Sequence, residues 1–105
     1  MMLSQFRTYQ LSVRFYQICL GLKLPTHLRD QLLRAASSIS LNLAEGSAKP
    51  TLRDRMKFYH ISLGSTRESQ AILQLQGQVY SEAVEVADQL GAAVYRLTHP
   101  RVSRS

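Results

Sequence analysis

The stretch His27-Leu28-Arg29-Asp30-Gln31-Leu32-Leu33-Arg34-Ala35-Ala36-Ser37-Ser38-Ile39-Ser40-Leu41-Asn42-Leu43-Ala44-Glu45-Gly46 decides the fold. Leu28, Leu32, Ala35, Ile39 and Leu43 recur every three or four positions, the period of one face of an α-helix. Gln31, Arg34, Ser38, Asn42 and Glu45 repeat at the same period, so the same helix carries a continuous polar line. Pro25 or Thr26 can open this helix, and Gly46, able to take positive φ, reads as its C-terminal stop. The expected span is about 27–45.

On the N-terminal side, Phe6, Tyr9, Val13, Tyr16 and Leu20 form one helical line. Leu11, Phe15, Ile18 and Leu22 form a second. The apolar stripe of this first helix, expected over about 4–23 and stopped by Pro25, is therefore wide enough to touch two neighbours. Its remaining strip, Arg7, Gln10, Arg14 and Gln17, is basic or amide throughout and should face water or a ligand.

On the C-terminal side, Gly46 to Pro50 is a short loop, and Thr51 with Asp54 three residues on has the form of a capping box. A third helix over about 52–76 follows, with an expected seam of Phe58, Ile61, Ser65, Glu68, Ile72, Leu75 and Val79. Gly77 and the Tyr80-Ser81 step mark the next turn. Ser81 ahead of Glu82 and Glu85 caps a fourth helix over about 81–98, with Ala83, Ala87, Leu90, Val94 and Leu97 as its apolar line. Pro100 ends it, leaving a short basic tail, 99–105. Four such helices with short connections read as an all-α, up-down-up-down antiparallel four-helix bundle.

Composition agrees. With 105 residues, 45% hydrophobic and 19% charged, the chain fits one globular domain, and five Gly with three Pro are few for a strand-rich fold. A single cysteine, Cys19, allows no intrachain disulfide and no CxxC site, and it reads as a small core residue. No apolar run approaches the ~18 residues needed to span a bilayer, and the N-terminus lacks a secretory core. The chain is read as soluble and cytoplasmic, without a membrane partner.

Enzymatic chemistry finds no support in the residues. His27, His60 and His99 are isolated, with no HxxxH, HExxH or Glu-x-x-His pair, so no metal site is expected within one chain. Gly46 and Gly64 are isolated too, which leaves no phosphate loop, and no cofactor is expected. Glu45 and Glu68 are read as structural, with Glu68 on a core-facing seam where a carboxylate must be paired. The expected pairing is an interhelical Arg34–Glu68 ion pair, with Ser38, Asn42 and Ser65 satisfying its neighbours.

Thirteen Lys+Arg against seven Asp+Glu leave a formal charge of +6. The densest basic run is Lys49, Arg53, Arg55 and Lys57, opposed by Asp54. Arg7, Arg14 and Lys23 could join it on the surface, and Arg101 and Arg104 add charge in the tail. The fourth helix, with Glu82, Glu85 and Asp88 against Arg96, reads as the acidic face. Lys and Arg in such clusters give salt-dependent, sequence-independent affinity for phosphates. No aromatic residues interleave the cluster in a way that signals base stacking.

The pattern Q-x-x-R-A-x-x-S-I-x-x-N-x-A-E-G, carried by Gln31, Arg34, Ala35, Ser38, Ile39, Asn42, Ala44, Glu45 and Gly46, is followed by Phe58-Tyr59 and by G-S-x-x-E at Gly64, Ser65 and Glu68. Together these resemble the small four-helix-bundle proteins encoded by 23S ribosomal RNA intervening sequences, a family that includes the accessory variability proteins of diversity-generating retroelements. The resemblance covers about Phe6 to Leu97. It implies a ring-shaped homopentamer, which would account for the two apolar lines of the first helix. It implies, through the retroelement branch, binding to RNA or DNA and to a reverse transcriptase. Gln31, Arg34, Ser38, Asn42, Glu45, Gly46, Ser65 and Glu68 are thereby fold and assembly residues; the basic residues are not part of the motif. The function expected is a non-enzymatic, oligomeric nucleic-acid-binding accessory protein. The alternative is a structural or protein-interaction bundle whose charge serves solubility alone.

Overall fold

A computed structural model describes residues 2–77 and 81–100. Four helices account for most of them: α1 (Leu3–Leu20), α2 (Thr26–Ser47), α3 (Leu52–Leu75) and α4 (Glu82–Thr98). No strand occurs among the described residues. Val79 of the expected seam and the tail residues Arg101 and Arg104 lie outside them.

Local chemistry sets the helix ends. Ser81 Oγ accepts from Val84 N at 3.3 Å, and Thr51 Oγ1 accepts from Asp54 N at 3.2 Å, so both expected N-caps form. Gly77 takes φ +67°, the left-handed backbone that glycine adopts without steric cost, and turns the chain after α3. Two expected ends are corrected. The first helix stops at Leu20, short of Pro25, because Gly21 follows and the Arg29 guanidinium donates to the freed Leu20 carbonyl at 3.1 Å. Gly46 is not a stop: α2 runs on to Ser47, and Gly46 is a buried helical residue under the Tyr59 ring.

Each helix packs on its chain neighbours, and α1 also packs on α4. Across α2 and α3 the touching pairs are Ser38–Ser65, Ile39–Ser62 and Gly46–Tyr59, so contacts advance along α2 as they recede along α3. The molecule is a rod of 49 × 22 × 18 Å.

The interior is narrow. Leu32, Ile39 and Leu43 of α2 and Ala83, Ala87, Leu90 and Val94 of α4 fill it as their periodicity predicts. From α1 it takes Phe15 and Cys19, with Leu11, Ile18 and Leu22 half-buried beside them. The other α1 line turns only partly outward: Phe6 is 46% and Leu20 45% exposed, while Tyr9 and Tyr16 pack against the core.

The expected α3 seam is corrected as well. Ile61 and Glu68 are exposed, and the inward line is Tyr59, Ser62, Thr66, Ser69 and Leu73, a parallel stripe one position along with three hydroxyls in its middle. Those hydroxyls stay in the core because each bonds a backbone carbonyl. Ser62 donates to Ile39 O at 2.9 Å, Thr66 to Ser62 O at 2.8 Å and Ser69 to Ser65 O at 2.9 Å. Small side chains here let α3 lie close against α2, where Ser62 reaches the Ile39 carbonyl and Gly46 lies under Tyr59.

Candidate nucleic-acid interface

The motif residues separate into a joined group and a scattered one. Ser38 and Ser65 meet at 2.9 Å between their hydroxyls, and Asn42 Nδ2 donates to Ser38 O at 2.9 Å and Ser38 Oγ at 3.1 Å. This cluster forms as expected. The ion pair at its centre does not: Arg34 and Glu68 are both exposed, and no salt bridge joins them. Glu68 sits on the outer side of the true α3 seam, where water solvates the carboxylate and no partner is required. Gln31 is also exposed, and Glu45 pairs with Lys49 at 3.6 Å one turn on.

The basic residues divide by position along the rod. Lys49, Arg53, Arg55 and Lys57 lie where α2 ends and α3 begins. Arg55 Nη1 donates to the Lys49 carbonyl at 3.2 Å, which ties the α2–α3 connection to the start of α3. Lys49 Nζ lies 5.2 Å from the Phe58 ring centroid, within cation–π range. Lys57 Nζ is 3.7 Å from Asp54 Oδ1 across an exposed pair, and Arg53 is exposed. Lys23 does not join this cluster. It occupies the α1–α2 connection at the opposite end, and Arg14 lies midway along α1.

Arg7 instead shares a groove with Arg96, on the helix read as the acidic face. A groove of about 460 Å³ runs between the start of α1 and the end of α4, lined by Ser4, Arg7, Gln89 and Arg96. Along α4, Glu82, Glu85 and Asp88 occupy the first half, and Arg96 stands near the end, 14 positions beyond Glu82. At the end of the rod where α1 starts and α2 meets α3, Arg7, Lys49, Arg53, Arg55 and Lys57 outnumber two acids, Glu45 and Asp54. Arg96 lines one groove with Arg7 and another with Arg67 and Asp88, and among the other described residues Arg14, Lys23, Arg29 and Arg34 equal Asp30, Glu68, Glu82 and Glu85 in number. The surplus positive charge thus sits at one end.

Sequence reading also missed an aromatic pair at the end of α4. Tyr95 and His99 stack with ring centroids 3.9 Å apart and planes 16° from parallel. Their four-residue spacing on a helix was the available signal. Nearby, the Arg67 guanidinium donates to Gln70 Oε1 at 2.9 Å and Gln70 Nε2 to Asp88 Oδ1 at 3.0 Å, lying across Gly91, where a Cβ would come within 2.8 Å of Arg67 Nη1.

A model of the family described as 23S rRNA-intervening sequence protein matches residues 5–99. The chain belongs to that family. The match reaches into all four helices of this intervening-sequence family member and includes the stacked pair and both Arg7 and Arg96 of the α1–α4 groove. No curated protein and no solved structure matches it.

Cys19 is fully buried, and burial pushes its thiol up to about 12, so it is held protonated. Among the described residues no three His, Cys, Asp or Glu side chains sit together as a metal site, and no helix is long and apolar enough to cross a membrane.

Proposed function

We propose that this protein is a non-enzymatic, oligomeric nucleic-acid-binding accessory protein. Its four helices run up-down-up-down, and copies assemble as a homopentameric ring with a basic end on every subunit. The observation that carries this reading is the segregation of surplus charge: five Lys or Arg against two acids at the end where α1 starts and α2 meets α3. A surface evolved for solubility alone has no need to separate its charges along the long axis, whereas phosphate binding does. The outward line of α1 supports assembly. With Leu41 of α2 at 68% exposure, Val13, Tyr16 and Leu20 line an apolar groove of about 360 Å³ that a second copy would cover. The resemblance of the motif residues to the accessory variability proteins supports an accessory role beside the reverse transcriptase of a diversity-generating retroelement, in the cytoplasm.

A gel-shift titration on structured RNA tests binding. Affinity should fall steeply between low and moderate salt; salt-independent binding, or none at low salt, rejects the reading. Light scattering tests assembly, and a particle near 11.9 kDa rejects it. The apolar groove also fits the rival, a protein-docking bundle. Charge reversal at Arg53 and Lys57, leaving Arg55 to hold the Lys49 carbonyl, abolishes RNA binding in the first reading and leaves partner docking intact in the second.

A further inference from the structure

We propose that the α1–α4 groove together with the Tyr95–His99 stack is a binding site for single-stranded nucleic acid, in which Arg7 and Arg96 hold a backbone phosphate and an unpaired base extends the aromatic stack. The inference rests on the nucleic-acid reading above and moves its centre away from the Lys49–Lys57 run, three of whose cations are already engaged with Glu45, Asp54 or a main-chain carbonyl.

Arg7 and Arg96 come from opposite ends of the chain and line one groove with no carboxylate within salt-bridge distance of either among the described residues. Two guanidinium groups sharing a concavity repel one another, and an anion between them relieves that repulsion. Guanidinium offers paired N–H donors that match phosphate oxygens. Ser4 and Gln89 line the same groove and add hydrogen-bonding side chains, while Leu11 and Leu97 supply apolar wall. At about 460 Å³ the space is in the range of small-ligand sites and admits a sugar with its phosphate.

The second half of the site distinguishes a nucleic acid from other phosphates. Arg96 lines this groove and also the adjoining one between α3 and α4, which Tyr95 and Arg67 line too. Tyr95 is 47% exposed, and His99 is exposed as well, so a preformed pair of stacked rings stands next to the phosphate groove. Stacking on such rings is sequence-tolerant because every base has a π-face, but it requires that the base be unpaired. A lipid headgroup or free phosphate has no use for the rings.

Fluorescence anisotropy with three labelled probes of about twenty nucleotides tests this: a single strand, its duplex and an abasic strand with the same phosphates. Wild-type protein should bind the single strand more tightly than the other two. Tyr95→Ala should weaken the single strand about tenfold and leave duplex and abasic strand unchanged. Arg7→Gln and Arg96→Gln should each weaken all three probes and lower the salt slope by about one. All three positions are exposed, and unchanged melting temperatures would verify that the variants fold. Equal weakening of the abasic strand by Tyr95→Ala, or wild-type affinity in the two Arg variants while Arg53→Glu abolishes binding, overturns this site and leaves the broader reading standing. Failure of wild-type protein to bind any probe at low salt overturns both.

Discussion

Gly46 lies so close beneath Tyr59 that a Cβ on it would stand 2.8 Å from Cε1 of the ring, and 2.9 Å from the neighbouring Phe58 Cβ. The glycine is therefore required by proximity, inside a helix where alanine would otherwise be better by about 1 kcal/mol. Gly46→Ala should destabilise the fold by about 1–3 kcal/mol net of that propensity, since neither the Tyr59 ring nor the Phe58 Cβ can retreat without moving α3. Urea unfolding monitored by circular dichroism measures it, and a variant as stable as the parent contradicts the close approach.

Tyr59 itself carries a further liability. Its hydroxyl is buried and has no protein hydrogen-bond partner among the described residues. Removing it strands no other group, so Tyr59→Phe should be neutral or more stable by up to about 2 kcal/mol. A loss above about 1 kcal/mol would mean that the hydroxyl has a partner.

Glu68→Gln should melt within about 0.5 kcal/mol of wild type, because an exposed carboxylate without an ion pair contributes little. A buried Arg34–Glu68 pair would cost about 3–5 kcal/mol on the same change. Differential scanning calorimetry separates the two outcomes.

Burial raises the Cys19 thiol from an ordinary 9.0 to about 12, and burial likewise raises the Tyr59 phenol. Both groups hold their protons in the folded chain at pH values where the unfolded chain has lost them. Stability is thus fully present below about pH 9 and declines as pH rises towards 12. Chemical unfolding across this range should show that decline, shallower in Cys19→Ala. In native protein near neutral pH the thiol should resist alkylation until denaturant opens the core.

The helical plan was legible because α2 and α4 bury aliphatic lines, and aliphatic periodicity is the strongest signal a helix gives. The α3 seam was misread for a physical reason. Its buried line is Ser62, Thr66 and Ser69, residues that pass for surface until their carbonyl partners are known. Displacing the seam by one position placed Glu68 inside and created the expected ion pair. Likewise the Lys49–Lys57 run could be read along the chain, whereas Arg7 and Arg96 are 89 positions apart and meet only through packing of the first helix on the last.

The charge separation along the rod has a consequence for long-range forces. At physiological ionic strength an exposed charge is felt over about 8 Å, far less than the 49 Å length of the molecule. The two ends are electrostatically independent. A polyanion should therefore be drawn to the end where α2 meets α3 and not to the other, so the bundle approaches it basic end first.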